Sequence, residues 1–287
     1  MVYPFYDRDS YLTFLAIFFG VICYVAIVKV FNKDTVEYLY NAICIITLIN
    51  IGYLWLQYFN IDPLFNPHNA PVGLMGNRNF ASTLLAFGFP AFLRKKWYLF
   101  IPLLVIGFIQ TKTTGGVIAV VTGLIVYVFI NRLSLWFLLV PVLAGIGYFV
   151  FVDTPDISLK SSRFQAWYFS LVLFKEHWLL GAGIGHWKII GKIKLPVLCN
   201  QWWICLHNEF LQGLFEMGIG FILVITGYFI NIFRRLGKES VIPFTALTII
   251  SVNSLVNFPF HIGTTALIAV IWLAILEIKL RGNYETV

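Results

Sequence analysis

Three short polar stretches hold most of the residues that could do chemistry. They are R-F-Q-A-W from Arg163 to Trp167, G-A-G-I-G-H-W from Gly181 to Trp187, and H-N-E-F-L-Q-G-L-F-E-M-G from His207 to Gly218. An arginine offers forked donors that suit a phosphate or diphosphate. A glycine run frees backbone N–H groups to cradle an anion, or simply makes a tight turn. A histidine with its ordinary pKa of about 6.5 can take a proton at neutral pH. Glu209, Gln212, Gly213 and Glu216 recur at i, i+3, i+4 and i+7, which is one face of a helix.

These residues need elements to hold them. Phe164, Trp167, Tyr168, Leu171 and Phe174 recur at helical spacing, so residues 161–176 are predicted as an amphipathic helix lying in a membrane interface. Ser161 or Ser162 can cap it. Arg163 then falls in the first turn, where a cation opposes the helix dipole. That placement makes sense if Arg163 meets an anion; the alternative is an arginine snorkelling to water. No strand precedes the glycine run, so a dinucleotide-binding fingerprint is excluded. His186 and Lys188 follow the run directly. Asn208 is a natural N-cap for the next helix. Glu216 would sit about 10 Å or more along that helix, and a carboxylate at such depth is either a functional candidate or a structural group bonded to a neighbouring helix. His207 belongs at the helix mouth, turned toward the loop and Arg163.

Composition sets the wider frame. Of 287 residues, 60% are hydrophobic and 11% charged, and the mean hydropathy is +0.84. A soluble domain carries about 25% charged residues. The fold class is therefore all-α, a polytopic helical membrane protein, and water-soluble enzyme classes are excluded. The net charge of +7 reads as topology-setting residues beside membrane helices and as contact with membrane lipids, not as a nucleic-acid site.

Apolar runs at 10–31, 36–58, 79–93, 97–111, 114–131, 134–152, 207–233, 241–260 and 263–280 are the candidate spans. Basic residues follow alternate runs, at Lys29 and Lys33, Arg94 to Lys96, Arg132, Arg234 to Lys238, and Lys279 with Arg281. This alternation predicts about nine spans, an outer N-terminus and a cytoplasmic C-terminus. Residues 1–287 then form a single membrane domain, with 153–206 as one long outer loop containing the amphipathic helix. The start of the chain lacks the basic segment and short apolar core of a signal peptide.

Other polar residues gather on the same predicted side. Asn77-Arg78-Asn79 precedes the third run, Lys112 precedes the fifth, and Asn253, Asn257 and His261 close the eighth. Together they suggest a shared polar cavity. Asp7-Arg8-Asp9 matches a nucleotide-sugar metal motif but is predicted outside, so it reads as incidental. No Cys or His spacing suits a metal, and no metal or cofactor is expected. Cys199 and Cys205 are candidates for a disulfide if the loop faces an oxidising compartment.

Taken together, these motifs resemble the O-antigen ligase and O-antigen polymerase superfamily of bacterial inner-membrane glycosyltransferases. The likeness covers about residues 70–280 and rests on Arg163 with Trp167, Gly181/Gly183/Gly185, His207-Asn208 with Leu211-Gln212, and Glu216. G-N-R-N-F-A at 76–81 and S-L-V-N-F-P-F at 254–260 are similar to further family segments. Relatives commonly carry Ser-Arg-Gly where this chain has Thr113-Thr114-Gly115, leaving Lys112 as the only cation there. They also usually have about twelve spans, so nine would make a minimal member.

The resemblance implies transfer of a glycan from an undecaprenyl-diphosphate carrier to an acceptor hydroxyl at the periplasmic face, inverting and metal-independent. Residues 153–206 would be a periplasmic catalytic loop in the inner membrane. Arg163 and His207 would be catalytic, as phosphate clamp and base. Lys112, Arg78, Asn79, Trp167, Gly183, Gly185, His186, Asn208 and Glu216 would bind substrate. The acceptor would be a lipid- or glycan-bearing molecule such as lipid A–core. A polymerase or protein O-oligosaccharyltransferase would share the donor chemistry. A transporter or flippase for a lipid-linked or anionic solute is the reading from another class.

Overall fold

A backbone surrounded by apolar side chains, and by lipid, must satisfy its own hydrogen bonds, which favours helices. In the computed structural model every regular element among the described residues is helical. The structure describes residues 8–61, 71–94, 96–134, 143, 162–191 and 204–281. The expected span at 134–152 and loop residues 153–161 and 192–203 fall almost wholly outside the described residues, as do Asp7, Lys95 and Cys199.

The helices are α1 (Arg8–Val30), α2 (Val36–Tyr58), α3 (Arg78–Phe92), α4 (Ile101–Thr111), α5 (Thr114–Ile130), α6 (Ser162–His177), α7 (Glu209–Met217), α8 (Ile219–Arg235), α9 (Val241–Ser254) and α10 (Gly263–Arg281). Among the described residues, three helical stretches are long and apolar enough to cross a membrane: Tyr11–Val30, Val36–Tyr58 and Gly263–Arg281. α4 is 11 residues and α3 is 15. At 1.5 Å per residue these give roughly 17 and 22 Å, short of a hydrocarbon core of about 30 Å.

The chain divides into two compact units. One comprises Met1–Cys23, Asp156–Arg235 and Ser254–His261; the other comprises Tyr24–Pro155, Leu236–Asn253 and Ile262–Val287.

In the second unit α3 is the central helix, packed by α2, α4, α5 and α10. Every residue from Ala81 to Phe92 is buried, as expected of a helix that is apolar all round. Small residues make the close packing possible. A Cβ on Gly88 would strike the Thr47 side chain, and one on Gly116 would strike Ser82. Such small-residue contacts are the usual means of joining helices in lipid, where apolar burial gives little drive. Charged groups collect where loops meet. Glu239 faces both Lys33 at 3.7 Å and Lys279 at 4.0 Å. Arg94 pairs with Glu37 and lies 4.4 Å over the Tyr40 ring.

In the first unit α6 packs on α7, and α7 on α8. Its core gathers Ala166, Leu173, Ala182, Trp187, Leu206 and Phe215. On α6, Ala166, Ser170 and Leu173 are buried, whereas Tyr168 is 72% and Leu171 44% exposed. Small side chains let α6 approach its neighbours, and the bulky ones are left outward, the arrangement of a lipid-facing surface.

The apolar run at 207–233 does not form one helix. It breaks at Gly218, whose φ of 66° and ψ of −155° suit glycine alone. The carbonyls released by the break are taken up by the chain that follows α6. Ala182 N–H donates to the Phe215 carbonyl at 2.8 Å and Gly183 N–H to the Glu216 carbonyl at 2.9 Å; in the opposite sense, Ile219 N–H donates to the Trp178 carbonyl at 2.8 Å. Gly181 fits because a Cβ there would collide with the Glu216 carbonyl.

Candidate functional site

The site in the first unit is built around the start of α7. Asn208 is its N-cap, with extended backbone and a side chain accepting the Leu211 N–H at 3.0 Å. The helix therefore starts at Glu209 and His207 stands just before it. His207 has a left-handed φ of 55°, which is uncommon for a side chain of this size. Its ring meets Phe258 edge-on, with centroids 4.5 Å apart.

The residue before it is held from both sides. Trp167 Nε1 donates to the Leu206 carbonyl at 2.8 Å. The Leu206 N–H donates to Gln212 Oε1 at 3.0 Å. Arg163, on the first turn of α6, is partly buried and points Nη1 at the Val256 carbonyl, 3.5 Å away. Burial lowers the pKa of its guanidinium. His207 is pushed down to about 3, first by burial and then by the charge of Arg163. The imidazole is thus neutral at physiological pH, with a nearby cation that an anion could offset.

The face of α7 forms a continuous polar network. Glu216 is 6% exposed and Gln212 2%. Glu216 Oε2 accepts the Gly185 N–H at 2.9 Å, and its Oε1 accepts the Trp187 N–H at 3.3 Å and Gln212 Nε2 at 3.1 Å. The glycine turn thus hydrogen-bonds the carboxyl group of Glu216. Three donors meet this buried group, as burial requires. His186 follows the turn, its N–H donating to Gly183 at 3.2 Å.

At the other end of this face, Glu209 Oε1 accepts the Phe260 N–H at 2.9 Å and lies 3.2 Å from His261 Nδ1. His261 Nε2 is 3.1 Å from Gln212 Nε2. Burial lowers the His261 pKa, but the bond and charge of Glu209, with Glu216 behind it, outweigh that and leave it raised. His261 was legible only as one polar residue at the end of an apolar run. Its partner, Glu209, lies 52 residues earlier, and no sequence spacing connects them.

Cys205 is buried and carries a free thiol, and its candidate partner Cys199 lies outside the described residues. Burial, then the charge of Glu209, pushes its pKa up to about 12. Among the described residues no group of three or more His, Cys, Asp or Glu side chains could hold a metal.

Arg78, Asn79 and Lys112 belong to the other unit. Arg78 opens α3 next to its N-cap Asn77, whose side chain accepts the Asn79 N–H at 2.8 Å. Lys112 is the left-handed C-cap of α4, with φ 49°, a helix end that favours a cation. It lines a cavity of about 600 Å³ together with Trp55, Tyr58 and Gln110.

Compared with known proteins, the chain matches no family model and no curated protein.

Proposed function

We propose that the chain is a polytopic membrane glycosyltransferase that moves a glycan from an undecaprenyl-diphosphate carrier to an acceptor hydroxyl at the periplasmic face. The observation that carries this is that Arg163 and His207 both reach the segment 256–258, Arg163 at the Val256 carbonyl and His207 at the Phe258 ring, beside the mouth of α7. Arg163 stabilises the diphosphate as it leaves. The leaving group is already a stable anion, so no general acid is required. His207 takes the acceptor proton. Bound diphosphate offsets the charge of Arg163, the smaller of the two effects that depress His207 after burial, and so strengthens the base when donor is present. Attack from one side in a single displacement inverts the anomeric carbon.

The reading takes nine spans in the inner membrane, an outer N-terminus and a periplasmic loop at 153–206. It is supported by the meeting of Lys33, Glu239 and Lys279, three residues that the charge alternation assigns to the cytoplasmic side. The same donor chemistry serves ligase, polymerase and protein oligosaccharyltransferase, and the acceptor distinguishes them.

The test is glycan transfer by the purified full chain in lipid, given a polyprenyl-diphosphate-linked glycan. Loss of His207 as base predicts a fall of roughly 10² to 10⁴ in rate for His207→Ala. Full activity in folded His207→Ala or Arg163→Ala protein would sink the assignment. One observation favours a transporter instead: the break at Gly218 beside a buried carboxylate is the kind of discontinuous helix that transporters use. Movement of labelled carrier lipid across vesicles without glycan transfer would decide for that reading.

A further inference from the structure

The side-chain amide of Gln212 is fully committed, and its orientation is fixed by its partners. Oε1 accepts from Leu206 N–H at 3.0 Å, and Nε2 donates to Glu216 Oε1 at 3.1 Å. Turning the amide over would face nitrogen to an N–H and oxygen to a carboxylate, breaking both bonds. The second Nε2 hydrogen points to His261 Nε2 at 3.1 Å. That ring nitrogen must then accept, which places the imidazole proton on Nδ1, 3.2 Å from Glu209 Oε1. One chain of directed hydrogen bonds thus runs from Glu209 through His261 and Gln212 to the Leu206 peptide, one residue before His207.

The conformation of His207 is what that chain controls. A left-handed φ of 55° is strained for a non-glycine residue by about 1–3 kcal/mol, so its surroundings must impose it. Behind His207 the Leu206 peptide is gripped at both polar groups, by Gln212 and Trp167. Ahead of it the Asn208 cap fixes the first turn of α7.

We propose that Gln212 is a positioning residue for His207, acting through the Leu206 peptide. It touches neither the imidazole nor any reacting atom. Releasing Leu206 lets His207 return to an ordinary backbone conformation, and the ring leaves Phe258 and Arg163 for a wetter setting. The catalytic meaning of this rests on His207 being the base proposed above; the positioning itself does not.

The experiment follows the imidazole directly and needs no turnover. Full-length protein labelled with ¹⁵N-histidine is held in nanodiscs, and imidazole signals are recorded from neutral to mildly acidic pH. The His207 signal is assigned by its loss in His207→Gln. In wild type it stays neutral through this range. In Gln212→Leu it is expected to titrate near the ordinary histidine value of about 6.5, with the His177 and His186 signals unmoved. Trp167→Phe, which removes the indole donor and part of the ring while keeping an aromatic side chain, should move the same signal in the same direction by less. A folded Gln212→Leu protein whose His207 signal is unchanged would overturn the proposal. So would a change shared by every histidine, which marks general loosening. If Gln212→Leu does not fold, Trp167→Phe decides by the same criteria. Glycan transfer is measured separately, so a failed transferase reading leaves this result intact.

Discussion

Glu216 accepts the backbone N–H of Gly185 across a separation of 31 residues, at 2.9 Å. The deep carboxylate and the glycine turn are therefore two halves of one joint. Removing the carboxylate strands the Gly185 and Trp187 N–H groups and the Gln212 amide. Glu216→Ala should cost about 1–3 kcal/mol for the groups left unpaired. Glu216→Gln keeps one acceptor and should lose less. Thermal unfolding of the two variants in the same detergent checks the order; equal stability would mean the joint contributes nothing.

Gly181 and Gly220 offer a contrast on neighbouring elements. A Cβ at Gly181, with φ 74°, would run into the Glu216 carbonyl, whereas one at Gly220 meets nothing within 4 Å. Gly181→Ala should destabilise the protein by more than about 1 kcal/mol. Gly220→Ala, inside α8, should be neutral or stabilising. Unfolding midpoints of the two variants measure the difference.

His207 links the site to acid stability. Its folded pKa of about 3 lies below the ordinary value of about 6.5, so the unfolded chain binds this proton first. The stability associated with neutral His207 is intact above about pH 6.5 and is lost as the pH falls toward 3. His207→Phe keeps a ring against Phe258 and removes the titration. Its unfolding midpoint should fall less on acidification than that of wild type, and parallel curves would exclude His207 as a contributor.

Cys205 reports on the same region from inside. A buried thiol with a pKa near 12 is almost wholly protonated and slow to react. In a protein whose other cysteines are serine, alkylation of Cys205 by a water-soluble maleimide should be slow. It should speed up about tenfold for each 1.4 kcal/mol by which Gly181→Ala eases local opening. Rapid labelling of the unaltered site would contradict its burial.

The readable parts of this fold share a physical basis. The start of α7 was legible because Asn208 carries its own capping oxygen, and the Glu209–Gln212–Glu216 face because helical neighbours are near in sequence. α2 was read at its observed limits, since a long apolar run needs no partner to declare itself. The break at Gly218 was hidden because L-F-E-M-G-I-G-F-I is apolar on both sides of the glycine apart from Glu216, and its cause lies in the 178–183 segment that supplies the missing donors. The packing face of α6 was unmarked for a related reason. Aromatic residues mark a face by size, but in lipid the close contact belongs to Ala166 and Ser170. His261 was noticed without its role, because the carboxylate that gives it one lies on another helix.

The anchoring of the long loop has a consequence for how such a chain can diversify. On one side it is tied to α7 through Gly185 and Glu216, and on the other through Leu206 and Gln212. Both ties end on the same short helix, at residues one turn apart. Each tie holds its own flank of the loop without reference to the other, and loop length alone is thermodynamically inexpensive. The residues around His207 can therefore keep their register whatever number of residues separates the two ties.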